Sequence, residues 1–388
     1  MRVISYSGGN DVSLLRSGAE FFPALIAAID EARTEVYLET YIFSIDDTGI
    51  LVRDALTRAA KRGVIVSVIT DWLGTGRVET KQLKASLAQA GVQHRSFNSW
   101  FRRGVARSHR KLCVVDRKWA FAGGLNINDD FFSDEGRHAP LPAPRWDFGV
   151  RIGGPLVEAV HREMQDQWIR IGKMKLRARW DRFKMARRVS GYGVEKGPAL
   201  AGLVVRDNLR NRRTIQRAYL QALGRSRETA FLTSPYFAPG RKLRRALEEA
   251  AMRGVRVTLL LGVGQFYLQD AVAHSFYPKL LKAGVRIVEY TRTQLHAKVA
   301  VIDDEWATVG SSNYDGLSLF VNQEANVVIS DAGFASTLRT EIEVGVSEGR
   351  LVQLQDFLHS PWYKKLWYGT AFLFYRGIIH IITLGQDA

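Results

Sequence analysis

The chain has 388 residues, with 55 Lys and Arg against 39 Asp and Glu, a formal charge of +16. Hydrophobic residues make up 46% and charged residues 24%, which predicts two or three globular domains with a sizeable core and excludes wholesale disorder. The single cysteine, Cys113, excludes a disulfide framework and a zinc site built from cysteine pairs.

The positive charge calls for an acidic partner: nucleic acid, an anionic membrane or a phosphate-bearing substrate. Composition does not choose among them. Met1 to Leu15 is mixed and polar, so neither a signal peptide nor an N-terminal membrane span is expected. Phe21 to Ala32 reads as a helix and Glu35 to Phe43 as an apolar strand. Leu51 to Gly63 reads as a helix stopped by its glycine, and Val64 to Thr70 as a near-continuous apolar strand. The same succession returns as Thr214 to Leu223, Thr229 to Phe237, Leu243 to Gly254 and Val255 to Leu261.

Two segments stand outside that succession. Arg170 to Arg188 holds nine Lys or Arg and one acid, Asp181, a local +8 that is half of the net charge. It reads as a solvated linker or as a contact for acidic lipid head groups. Trp362 to Leu384 is rich in Trp, Tyr, Phe and Ile beside Lys364 and Lys365. Its ten uncharged residues from Leu366 to Tyr375 fall short of the ~20 that span a bilayer. A helix lying in the membrane interface suits it, the alternatives being a span that includes Arg376 and a C-terminal helix packed on the protein's own core.

The succession is an internal duplication. Ala59-Ala60-Lys61-Arg62-Gly63-Val64 recurs as Ala250-Ala251-Met252-Arg253-Gly254-Val255, 191 positions on. Gln89-Ala90-Gly91-Val92 recurs as Lys282-Ala283-Gly284-Val285 at 193, and His109-x-Lys111 as His296-x-Lys298 at 187. The fold class is therefore α/β: two similar lobes, each a largely parallel or mixed sheet flanked by helices. The boundaries expected are lobes over 1–169 and 201–350, a basic linker over 170–200 and an apolar tail over 351–388.

Both copies obey His-x-Lys-x4-Asp, ending at Asp116 and Asp303, with Asn126 and Asn313 ten residues later. The sequence around each motif reads as a strand, and alternation then puts His and Lys on one face. Two such faces supply what phosphoryl transfer needs. One His attacks phosphorus, the other protonates the departing alkoxide, and Lys111 and Lys298 neutralise the oxygens without a metal. Asn126, Asn313 and Ser311 add hydrogen bonds to the phosphate. Asp116 and Asp303 complete the motif and are counted with its catalytic set, although an anchor of the strand-to-turn geometry suits them better. Orienting carboxylates are expected downstream. Asp147 stands 38 past His109 and Glu324 28 past His296, each at the edge of an apolar stretch that reads as the next strand.

The doubled motif resembles the phospholipase D superfamily. Glu39-Thr40-Tyr41-Ile42-Phe43, Gly123-Gly124-Leu125-Asn126, Ser234-Pro235-Tyr236-Phe237 and Gly310-Ser311-Ser312-Asn313 with Asn322-x-Glu324 resemble bacterial cardiolipin synthases, over residues 10–345. They are most similar to the shorter type, which lacks N-terminal membrane helices. The resemblance implies a pseudo-twofold pair of lobes and a ping-pong transfer. A phosphatidyl group passes from phosphatidylglycerol to His109, then to the hydroxyl of a second phosphatidylglycerol, with His296 as acid and then base. It implies no cofactor, no nucleic acid partner, anionic membrane lipids as partners, and a peripheral or monotopic place on the cytoplasmic side of a bacterial inner membrane. Water as acceptor would make the protein a phospholipase D or phosphodiesterase. The superfamily also holds nucleases, for which the aromatic tail has no use.

Overall fold

The computed structural model describes residues 4–98, 106–133, 139–172, 197–207 and 211–383. Most of the basic run 170–188 lies outside them. The first half carries strands β1 (Ser7–Arg16), β2 (Glu35–Thr40), β3 (Ile65–Asp71), β4 (Gln93–Phe97), β5 (Leu112–Val115), β6 (Trp119–Gly123) and β7 (Phe148–Gly153). The second carries β8 (Ala199–Arg206), β9 (Thr229–Ser234), β10 (Arg256–Gly262), β11 (Arg286–Tyr290), β12 (Val299–Ile302), β13 (Trp306–Gly310), β14 (Glu324–Ser330) and the short β15 (Arg350–Leu351).

Strand order repeats the sequence duplication. One half runs β4-β3-β2-β5-β6-β7-β1, the other β11-β10-β9-β12-β13-β14-β8, and β1 joins β8 antiparallel. The sheet is mixed. Among the described strands, parallel ladders run through β2-β3-β4 and β9-β10-β11, where helices supply the crossovers. Sequence explains these units locally. In helix Asp47–Lys61 the Asp46 side chain accepts from Gly49 N at 2.8 Å and caps the start. At its end Gly63 takes φ 89°, and Val64 N reaches back to Ala59 O at 3.2 Å. Gly254, with φ 94°, closes helix Arg241–Met252 in the same way.

The apolar strands are buried on both faces, as their composition demands. Leu112 and Val114 of β5 face a core shared by both lobes, while Cys113 and Val115 face the outer helices of the first lobe. Val160 and Met164 of helix Leu156–Ile171, and Leu338 and Ile342 of helix Ala332–Glu348, complete the shared core. Burying this much apolar surface between the halves holds them in one orientation, which the site requires.

Helix Trp362–Thr383 is apolar nearly all round. Ala371 is buried, and Tyr368, Phe372 and Tyr375 pack against the core of the second lobe. The Phe372 ring meets Phe276 of helix Tyr267–Lys282 at 5.3 Å. The outward face leaves Trp362, Leu366, Leu373, Phe374 and Ile381 exposed. Among the described residues no helix is long and apolar enough to cross a membrane.

Candidate active site

Both His-x-Lys segments precede their strands rather than lying within them, because β5 begins at Leu112 and β12 at Val299. The expected strand placement is corrected accordingly. Each segment is held by backbone bonds to the opposite lobe. His109 N donates to Gln323 O at 2.9 Å and Gln323 N to Arg107 O at 2.7 Å. His296 N and Ala297 N donate to Trp146 O at 2.9 and 3.1 Å.

The exchange carries the carboxylates with it. Glu324, downstream of the second motif, faces the first histidine: His109 Nδ1 donates to Glu324 Oε2 at 3.1 Å and to Ser311 O at 3.0 Å. Asp147, downstream of the first motif, faces the second: His296 Nδ1 donates to Asp147 Oδ2 at 2.6 Å. A carbonyl and a carboxylate can only accept, so Nδ1 of His109 carries the proton and Nε2 is left with its lone pair.

The lysines complete the cluster. Lys111 Nζ donates to His109 O at 2.9 Å, and Lys298 Nζ donates to His296 O. Burial pushes the His109 pKa down, with the Lys111 charge adding to it and Lys298 contributing further, against the opposing pull of Glu324. His109 is therefore neutral at neutral pH. Burial pushes the Asp147 carboxyl up, against the charges of Lys298, Arg145 and Lys111. Lysines from both lobes thus act on one constellation.

Supporting residues differ between the halves. Ser311 Oγ donates to Glu324 Oε2 and accepts from Ala325 N at 3.0 Å, so it holds the carboxylate rather than standing apart as a phosphate ligand. Asn126 Oδ1 accepts from Ile42 N at 3.3 Å in the loop after β6. Asn313, in the matching loop after β13, is buried, and its Oδ1 has no partner among the described residues.

Asp116 and Asp303 are not brought into the cluster. Each follows its strand, at the end away from the histidine; seven extended residues separate His109 from Asp116, roughly 23 Å. Asp116 accepts from Arg33 N, Thr34 N, Thr34 Oγ1 and Glu35 N at 2.7–3.0 Å. Asp303 accepts from Arg227 N, Glu228 N and Thr229 N at 2.6–2.9 Å. Both are clamps on the turn that opens β2 or β9, and their place in the catalytic set is withdrawn.

Sequence reasoning gave no role to Glu39, Tyr41, Gln167 and Gln323. Glu39 is buried; its Oε1 accepts from Ser108 Oγ and, at 3.4 Å, from Gln167 Nε2. Gln167 Nε2 also donates to Gln323 Oε1 at 2.5 Å, so this network ties the His109 segment to the Glu324 segment. The Tyr41 ring meets the His109 ring at 5.0 Å, and Lys111 Nζ lies 5.4 Å from the Tyr41 centroid. The signals were the words Glu39-Thr40-Tyr41 and Asn322-x-Glu324, which carry no chemistry until the lobes close.

Two half-sites that complete each other across a duplicated α/β fold define a phospholipase D-type enzyme. The family model for "Cardiolipin synthase, PLD-like domain" matches residues 25–136 and 219–344. Cardiolipin synthase B of Escherichia coli (strain K12) is 38% identical over 346 residues, 87% of this chain and 81% of that protein. Cardiolipin synthase B of Salmonella typhimurium is 35% identical over 377 residues, covering 95% and 88%. The crystal structure of a phosphatidylserine synthase from Haemophilus influenzae Rd KW20 shares the fold, with a TM-score of 0.69 over 99% of this chain and 97% of that one, at 13% identity. The chain belongs to the PLD-like cardiolipin synthase family.

Proposed function

We propose that this protein is a cardiolipin synthase acting on phosphatidylglycerol through a phosphohistidine. His109 Nε2 attacks the phosphorus of one phosphatidylglycerol, and the bond to the glycerol oxygen breaks. His296 gives that oxygen its proton, and glycerol leaves. The hydroxyl of a second phosphatidylglycerol then attacks phosphorus as His296 takes its proton back, and the bond to His109 breaks. Lys111 and Lys298 balance the charge on the non-bridging oxygens, with Asn126 and Asn313 as hydrogen-bonding partners. Asp147 and Glu324 hold the two imidazoles in register.

The observation that carries this reading is the pair of imidazoles, each with Nδ1 fixed by the other lobe's carboxylate, with the buried Lys111 and Lys298 charges acting on both His109 and Asp147. The enzyme acts at a phospholipid surface, peripherally, on the cytoplasmic face of the bacterial inner membrane, with the outward face of helix Trp362–Thr383 against the lipid. Purified protein incubated with phosphatidylglycerol vesicles tests the reaction. Cardiolipin and one glycerol per cardiolipin are expected. Phosphatidic acid as the main product would make the protein a hydrolase instead.

A further inference from the structure

Large exposed apolar side chains gather at one end of the sheets. In the first lobe Ile45, Leu73 and Phe131 follow the carboxyl ends of β2, β3 and β6; in the second, Phe266, Tyr267 and Leu268 follow that of β10. Tyr267 is 89% exposed. This is the end at which both motifs enter. Leu112, next to Lys111, pairs with Glu39 near the end of β2, and Val299 pairs with Thr233 near the end of β9.

Cations lie directly behind the rim. Next to Leu73 a cavity of about 950 Å³ is lined by Trp72, Arg77, Val78, Lys81, Lys84 and Arg95 among others, and among the described residues no carboxylate lines it. The Arg77 guanidinium lies 5.4 Å from the Trp72 ring centroid. Apolar tips in front of a basic groove are the anatomy of a surface that enters lipid head groups: the tips bury apolar area while the cations meet phosphate.

We propose that the end of the molecule carrying the two histidines is its bilayer-docking face, built from both lobes and occupied by an anionic phospholipid surface. The histidines then open onto the layer that holds the substrate phosphates, and the lipid need not leave the bilayer to reach them. The proposal rests on the phospholipid reading of the site.

The test is partitioning of the full chain onto vesicles of phosphatidylglycerol mixed with phosphatidylcholine, measured by sedimentation without turnover. Tyr267→Glu with Leu268→Glu, and separately Leu73→Glu, should each lower partitioning about tenfold at high salt, because a carboxylate replaces an inserted apolar tip. Lys81→Glu with Lys84→Glu should weaken binding at low salt and only on vesicles containing phosphatidylglycerol. Met252→Glu is the control: Met252 is 68% exposed but sits at the amino end of β10. It should change nothing. Unfolding midpoints check that the variants fold, and Ser replaces Glu at any rim position where Glu lowers the midpoint. Rim variants that partition like the wild type, or a Met252→Glu loss of equal size, overturn the docking face. A wild type that makes no cardiolipin, yet loses vesicle binding in the rim variants alone, overturns the synthase reading and leaves the docking face standing.

Discussion

At the scale of single residues, two imidazoles with one motif sit in different surroundings. Glu324 is held by Ser311, whereas the matching position beside Asp147 is Gly124. A Cβ at Gly124 would stand 2.2 Å from Asp147 Oδ1 and 2.6 Å from Oδ2, so a side chain there displaces the carboxylate from His296. Gly124→Ala should therefore lose activity nearly as far as Asp147→Asn, while thermal unfolding shows the fold intact. Asp147→Asn and Glu324→Gln are each expected to lower the rate by about 10²–10⁴, as removal of the equivalent charge does in hydrolytic triads. The pH dependence separates positioning from mere structure. Glu324 raises the His109 pKa, so its loss lowers that pKa further. The acid limb of the kcat/KM profile, which follows neutral His109, should move to lower pH in Glu324→Gln. An unmoved limb would remove Glu324 from contact with His109.

At the scale of elements, the strand that follows each motif links two unlike ends: chemistry before it and a turn clamp after it. Asp116 has φ 50° and Asp303 φ 52°, in the left-handed region that Asp tolerates better than most residues, and each side chain satisfies the backbone donors of an incoming strand. Asp116→Ala should cost about 1–2 kcal/mol of stability, as loss of a side-chain cap does, with little change in rate for the protein that remains folded. Burial raises the Asp116 pKa, but hydrogen bonds from Glu35, Thr34 and Arg33 outweigh it and the net shift is downward. Its stabilisation is thus present above about pH 4 and is lost as pH falls through the depressed value. Urea unfolding of wild type and Asp116→Ala should accordingly converge in acid. Spacing made the motif legible, because His, Lys and Asp lie within one short stretch of chain. It also suggested that the Asp anchors a turn, but not which backbone it clamps, since that depends on the turn before β2 arriving beside the end of β5.

At the scale of the molecule, the central fact is exchange between lobes. Asp147 and Glu324 were legible as orienters from their places before apolar stretches. Counting downstream from each motif, however, associates each carboxylate with its own lobe's histidine. The twofold closure around the shared core reverses that, and no local pattern records it. Neither half can therefore be expected to turn over alone. The C-terminal tail shows the same gap between pattern and place. Its composition predicted an interfacial helix, and its outward face fits that, but the inward face covers core side chains. Tyr375 Oη accepts from Gly316 N at 2.7 Å, and a Cβ at Gly316 would stand 2.9 Å from that oxygen. Deleting 362–388 would uncover Phe276 and its neighbours and should promote aggregation. Leu366→Glu with Phe374→Glu should keep the unfolding midpoint and release the protein from anionic vesicles at high salt. Loss of the midpoint in that variant would place this face in the protein's own packing. Turnover should also survive excess chelator, since Lys111 and Lys298 supply the charge that a divalent ion would otherwise bring; loss in EDTA reversed by a divalent ion would contradict that assignment.

In the proposed reaction one composite site works as a pair: His109 takes the phosphatidyl group and His296 moves the proton. Acid-labile label trapped from phosphatidylglycerol carrying radioactive phosphorus, then mapped by peptide, tests it most directly. Label is expected on the peptide containing His109 in the wild type. It is expected there also in His296→Ala given an activated aryl phosphodiester, whose leaving group needs no acid, and not in His109→Ala. Label on the His296 peptide, or label surviving in His109→Ala, would contradict it.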